Sequence, residues 1–193
     1  MAATERQFHD SLDGFRQDHL ARYLWVSELL GDKGHVIDAA CGCGYGSSIL
    51  ADRGCDVTAI DVSEVALAYG KKHWDRPSIS WVQMNLLEAP VLPKADAVVS
   101  FETVEHLKRP KVFLKAARLA APRLIVSVPN EDVFPFNRKK HPFHCRHYTR
   151  EQLFKRLDEC GWSVKAWFGQ EGKTGPVVPE LVGRTLIVDA ERS

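Results

Sequence analysis

The sequence predicts an α/β protein with a seven-stranded, mostly parallel sheet, an antiparallel last strand and helices on both faces. Three observations carry that expectation. Strand-like runs alternate with helical periods for five units, which implies parallel strands joined by crossover helices. A turn containing Gly42, Gly44 and Gly46 follows the first such run and opens directly into a helical stretch. The final two strand-like runs have no helix between them, so one of the two must run antiparallel.

Each element has its own signal. Residues 1–15 are polar and read as a loose arm. Over 15–30 the period turns helical, with Leu20, Tyr23, Leu24 and Leu30 on one face, and Gly31-Asp32-Lys33-Gly34 stops it. The short apolar run Val36-Ile37 ends at Asp38, and a helix over 47–53 follows the glycines. A second strand over 56–60 ends in Asp61, and Ser63 caps a helix reaching about residue 74. Pro77 precedes a third strand, 79–84, that ends at Asn85. A loop with Pro90 and Pro93 leads to a fourth strand, 95–100, and then to a helix-compatible stretch, 101–107. Pro110 suits the first turn of a helix over 111–120, and a fifth strand over 123–128 is ended by Pro129-Asn130. Thr149 and Gln152 form a capping box for a helix ending near Cys160-Gly161. Strands over 162–168 and 184–188 close the chain across a Gly- and Pro-rich loop.

Between residues 130 and 148 no period holds, and the stretch is rich in Phe, Pro, His and Arg. A loop of that length in a compact domain is usually functional, and its aromatic content opposes disorder.

Bulk properties narrow the class. A length of 193 residues with 45% apolar content suits one domain, 1–193. A net charge of +1 offers no electrostatic case for nucleic acid or membrane, so neither partner is expected. The basic run Arg138-Lys139-Lys140 reads as a solvated loop. Five cysteines without a CxxC pair fit reduced thiols and a cytoplasmic setting, and Cys41 with Cys43 lacks the second pair a metal site needs. No apolar run approaches a membrane span, and the first residues lack a signal-peptide core.

The glycine turn and Asp61 together point to a nucleoside. Glycines let the backbone bend sharply and let a ligand approach, while the N–H groups at the helix start face it. Asp61 stands about twenty residues beyond the turn, the spacing at which a carboxylate meets a ribose diol, which makes the fold Rossmann-like. Ligands of open sheets sit at the carboxyl ends of the strands, so Asp38, the glycine turn, Asp61, Asn85, Ser100 and Phe101 are expected around one ligand.

The chain resembles the class I S-adenosylmethionine-dependent methyltransferases over nearly its whole length. VIDAACGCGYG is similar to their Asp-x-Gly-x-Gly-x-Gly motif, with Ala40 where the first glycine often stands. AIDVS, WVQMNLLEAP, ADAVVSFETVEHL and LIVSVPN are similar to the later core motifs. The N-terminal DHLARYLW, the segment HPFHCRHYTREQL and the phrase WFGQ resemble small O-methyltransferases of the ubiquinone type and of glycan biosynthesis.

That resemblance implies S-adenosyl-L-methionine as cofactor and a small-molecule or glycan hydroxyl as acceptor. It implies cofactor contacts from Asp38, Ala40, Gly42, Gly44, Asp61, Val62, Asn85, Leu86, Ser100 and Phe101. Asp38 would orient either the turn or the methionine amino group, Asn85, standing where an acidic residue is common, would hydrogen-bond the adenine, and Leu86 would meet the adenine through its N–H. The arm and helix over 1–30 would cover the site, with His19 and Arg22 reaching the cofactor carboxylate or lying on a plain surface helix.

Glu105, His106, His144 and His147 are the candidates for taking the acceptor proton. On a helix, Glu102, Glu105 and His106 would share a face, and capping of that helix is the competing role. ETVEHL with His144 and His147 also resembles the metal-dependent RNA ribose 2′-O-methyltransferases, in which Glu102, Glu105, His106 and His144 or His147 would hold a divalent ion. A cofactor-binding subunit serving a partner enzyme is the non-catalytic alternative.

Overall fold

The computed structural model describes residues 6–32, 34–88 and 90–193. One sheet is formed by β1 (His35–Ala39), β2 (Asp56–Asp61), β3 (Ile79–Gln83), β4 (Ala97–Phe101), β5 (Arg123–Pro129), β6 (Trp162–Gln170), β7 (Val178–Pro179) and β8 (Thr185–Arg192). The strands lie in the order β3-β2-β1-β4-β5-β8-β6-β7. The first five are parallel, and β8 inserts antiparallel between β5 and β6.

The sheet has eight strands where seven were expected. The extra one is the two-residue β7, which pairs Val178 with Gly169 and Pro179 with Phe168 inside the Gly- and Pro-rich loop. Two residues are too few to show a period of two.

Helices α1 (Gln17–Leu30), α2 (Tyr45–Asp52), α3 (Glu64–His73), α4 (Pro110–Ala120) and α5 (Arg150–Asp158) cover both faces. Alternation along the strands sorts two cores. Ile37, Val98, Leu124 and Val126 pack under α4 and α5 with Leu114, Leu157 and Trp162. Val36, Val57, Val99 and Ile125 pack under α1, α2 and α3 with Tyr23, Leu50 and Leu67. Because successive strand residues face opposite sides, each central strand feeds both layers. The Ser63 cap is present, and Thr149 with Gln152 forms the full capping box. No described helix is long and apolar enough to cross a membrane.

Three local expectations are corrected. The buried face of α1 carries Tyr23 and Val26 together with Asp18, Arg22 and Ser27, whereas Leu24 is exposed. Polar groups take the inner face because the Asp18 carboxylate accepts from Arg16 and Arg22 donates to Gln170 of β6. The stretch 101–107 is a pair of tight turns, closed by His106 N–H to the Thr103 carbonyl and Leu107 N–H to the Val104 carbonyl. Glu102 at its start has φ +48, which a helix does not admit. The arm is ordered from Arg6 onward, because its aromatic residues pack: Phe8 against Tyr69, and Phe15 stacked on Tyr45 at 3.9 Å between ring centres. The rest of the expected arm, residues 1–5, lies outside the described residues.

Candidate active site

The strand order reverses between β1 and β4, where an open α/β sheet forms its ligand crevice. A cleft of about 860 Å³ opens there, at the carboxyl ends of β1, β2 and β4. The turn after β1 forms its floor. Ala40, Gly42 and Gly44 all take left-handed backbone angles, with φ of 66, 59 and 81°. The two glycines serve different ends. A Cβ on Gly42 would meet nothing, because that position faces the open cleft. A Cβ on Gly44 would strike the Trp81 ring, so Gly44 is required by packing.

Asp61 at the tip of β2 is held by the backbone. Its Oδ2 accepts the Gly42 N–H at 3.0 Å and its Oδ1 accepts the Ser63 N–H at 2.8 Å. The Arg6 guanidinium lies on the same Oδ1 at 2.8 Å. Sequence reasoning missed Arg6, which lies 55 residues from Asp61 in a stretch without a motif.

Asp38 is fully buried behind the turn and does not line the cleft. It accepts hydrogen bonds from Tyr23 at 3.0 Å and from Ser47 at 2.6 Å, tying α1 and α2 to β1. Burial pushes its carboxyl up to about 6, against the pull of those two hydroxyls. Asp38 was expected to orient either the turn or the methionine amino group; its side-chain partners here are Tyr23 and Ser47. Ser100 is likewise buried, donating to the Ala39 carbonyl. Gly44 and Ser100 therefore shape the floor from behind, while Ala40, Gly42, Asp61, Val62, Asn85, Leu86 and Phe101 line the cleft. The Asn85 side chain folds into its own turn, accepting the Leu87 N–H and donating to Glu88.

Arg22 differs from its expected place. It is fully buried and absent from the cleft wall, with Nη1 donating to Gln170 at 2.6 Å and lying 3.7 Å from Asp18. His19, one turn earlier, and Arg16, just before the helix, line the cleft instead. Burial, with the charges of Arg22 and Arg16, lowers the His19 imidazole to about 2, so it is neutral beside an electropositive wall.

The far end of the cleft carries Glu102, Glu105, His106 and His144. Glu102 is pinned in its left-handed conformation by Ser127, whose Oγ donates to the carboxylate at 2.8 Å. Glu105 is fully buried. Loop 130–148 is tied onto this turn, since the Cys145 N–H meets the Glu105 carbonyl and His106 Nδ1 meets the Phe143 carbonyl at 3.1 Å. Ligating atoms of Glu105, His106 and His144 lie within 4.8 Å of one another, as do those of His141, His144 and His147. The first trio faces the cleft. His147 does not; it stands behind His144. The sequence reading also passed over Arg184, whose guanidinium lies 3.5 Å from the Phe134 ring centre on the cleft wall, and His141. Arg184 sits in no recognisable motif, and His141 opens the segment HPFHCRHYTREQL, in which only His144 and His147 were singled out.

This arrangement can seat a nucleoside at the β2 side and can hold a cation or move a proton at the Glu/His corner.

The methyltransferase domain family matches residues 36–123. A curated protein of Mycobacterium tuberculosis, named "Probable S-adenosylmethionine-dependent methyltransferase", is 35% identical over 141 residues, 69% of this chain and 50% of that protein. A ubiquinone biosynthesis O-methyltransferase of Acinetobacter baumannii is 29% identical over 119 residues, 57% of this chain and 49% of that one. The chain thus spans about half the length of these curated relatives. Among solved structures, the methyltransferase domain of a bacterial Hen1 superposes with a TM-score of 0.69 at 23% identity, covering 92% of this chain and 98% of that one. Magnesium protoporphyrin IX methyltransferase of Synechocystis, with bound SAH, gives 0.65 at 20% identity, covering 91% and 81%. At such identities the likeness is one of fold.

Proposed function

We propose, for a chain that carries a class I S-adenosylmethionine-dependent methyltransferase domain, that it transfers a methyl group to a hydroxyl of a small-molecule or glycan acceptor. One observation supports this most: a single cleft joins a backbone-anchored Asp61 at one end to Glu105, His106 and His144 at the other.

The residues fit the cofactor. Gly42 has open space where a Cβ would stand, the Asp61 carboxylate is already aimed by two N–H groups, and the cleft is roomy enough for a nucleoside with an amino-acid tail. S-adenosyl-L-methionine, when bound, supplies an electrophilic methyl on a positively charged sulfur. Asp61 accepts the ribose diol beside Val62. Asn85 and Leu86 border the base, with the backbone of Leu86 the better placed because the Asn85 amide is engaged in its own turn. Arg16 and His19 stand at the wall for the terminal carboxylate. Arg22 supports them from within, by holding Asp18 and Gln170.

In-line displacement asks the protein chiefly for positioning. Loop 130–148 closes the acceptor end and keeps water from the reacting centre. His144 or His106 takes the hydroxyl proton, with Glu105 beside them to favour the cation so formed. The likeness to a ubiquinone biosynthesis O-methyltransferase supports a hydroxyl acceptor. Calorimetric titration with S-adenosylmethionine and its demethylated form tests cofactor binding, and transfer of a labelled methyl to phenolic and sugar acceptors tests the reaction. No heat with either form would overturn the reading.

A second reading has its own observation, the convergence of Glu105, His106 and His144. Two imidazoles and a carboxylate suit a divalent ion, with Glu102 in the same turn, and such an ion would gather the hydroxyls of an RNA 3′ ribose. Chelator-sensitive transfer to RNA, restored by manganese or magnesium, would favour it, and full activity in chelator would exclude it.

A further inference from the structure

His147 stands outside the cleft, yet it makes two short contacts within the histidine cluster. Its Nδ1 lies 2.6 Å from the Phe134 carbonyl oxygen. A carbonyl can only accept, so Nδ1 of His147 carries the hydrogen. The side chain is fully buried, Glu131 stands 3.9 Å away, and burial disfavours a charged ring. A neutral ring with Nδ1–H has its lone pair on Nε2. That atom lies 2.9 Å from Nδ1 of His144. Two lone pairs cannot face each other at hydrogen-bond distance, so His144 must donate from Nδ1. In the neutral ring its own lone pair is then on Nε2.

We propose that His147 is a positioning residue: through a carbonyl–His147–His144 chain it holds His144 in the Nδ1–H tautomer and presents the Nε2 lone pair as the working nitrogen of the Glu105–His106 corner. His106 is set by the same device. Its Nδ1 donates to the Phe143 carbonyl, and its Nε2 lies 3.9 Å from a Glu105 oxygen. Both carbonyls belong to loop 130–148. The loop thus sets the proton positions of the corner as well as covering it. Second-layer groups that fix an imidazole tautomer typically change activity or metal affinity by about 10–100-fold when removed.

The functional consequence rests on the methyltransferase reading, but the tautomer does not, so the two can fail separately. Long-range 1H–15N correlation spectra of the uniformly labelled full chain near pH 7.5 read the protonation of each ring nitrogen. His144 and His147 are expected to show Nδ1 protonated and Nε2 bare. His147→Leu, which offers no acceptor, should move His144 toward the Nε2–H form. His147→Gln, which offers an amide oxygen near the lost Nε2, should restore Nδ1–H. With an acceptor in hand, His147→Leu should lose about 10–100-fold in turnover with cofactor affinity unchanged, and His147→Gln should recover part of it. An Nε2–H His144 in the wild type, or a His144 tautomer indifferent to His147→Leu, would overturn the proposal. If His147→Leu fails to fold, the wild-type spectrum alone decides.

Discussion

Arg6 and Asp61 form a 2.8 Å ion pair at the site where a ribose diol would bind. The carboxylate offers about four acceptor positions, and the Gly42 and Ser63 N–H groups and Arg6 use three. A diol brings two hydroxyls, so Arg6 must yield one place. Its side chain is 35% exposed, which keeps the pair weak, about 0–1 kcal/mol.

Arg6→Ala should therefore tighten cofactor binding about 2–5-fold, the equivalent of up to about 1 kcal/mol. Asp61→Ala should weaken it by about 1.5–3 kcal/mol, since the diol loses a charged acceptor. Titration calorimetry checks both. A weaker complex on Arg6→Ala would make Arg6 part of the binding site instead of its competitor.

Ala40 holds φ +66, a conformation that costs a residue with a Cβ roughly 1–2 kcal/mol. Ala40→Gly relieves that cost and gives back part of it through a freer unfolded chain. Urea unfolding should show a net gain of about 0.5–1 kcal/mol. A loss would mean that the Ala40 methyl packs against the core more strongly than its backbone is strained.

His19 and Asp38 predict opposing pH dependences. The folded-state His19 is lowered to about 2, so below about pH 6.5 only the unfolded chain takes up its proton, and stability falls as pH falls. The folded-state Asp38 is raised to about 6, so between about pH 4 and 6 the folded chain holds the extra proton, and stability falls as pH rises. Each contributes a slope of about 1.4 kcal/mol per pH unit, and the two nearly cancel in that window. His19→Gln should tilt the stability curve downward with rising pH between 4 and 6, and Asp38→Asn should tilt it upward. Denaturant melts across that range read the slopes; parallel curves for all three proteins would contradict both shifts.

His144→Ala and His106→Ala address the far end of the cleft. A residue that accepts the acceptor proton contributes about 10²–10⁴-fold, so at least one variant should lose turnover on that scale while keeping its cofactor affinity. Equal losses in turnover and affinity would point to collapse of the corner itself. Paired single-turnover and binding measurements separate the two outcomes.

Much of the glycine-turn end of the cleft, where we propose the cofactor sits, was legible in the chain because its signals are local. Left-handed glycines, a strand that ends on Asp61 and the Ser63 and Thr149 caps each depend on a few consecutive residues and on backbone sterics. The acceptor half was legible only as a set of residue types. Glu102, Glu105 and His106 were expected on one helical face, but a positive φ at Glu102 breaks the period, and the three side chains then point where two tight turns send them. His144 and His147, three residues apart, parted company because one faces the cleft and the other the Phe134 carbonyl.

By itself the sequence determined the layered α/β architecture, the glycine floor and the carboxylate at the second strand's tip, since hydrophobic period and backbone conformation are short-range properties. The tertiary structure alone decided that Arg22 turns inward to Gln170, 148 residues away, that Arg6 reaches Asp61, and that two loop carbonyls set the histidine tautomers. Those contacts follow from how distant segments pack, and no local pattern encodes which buried donor will meet which acceptor.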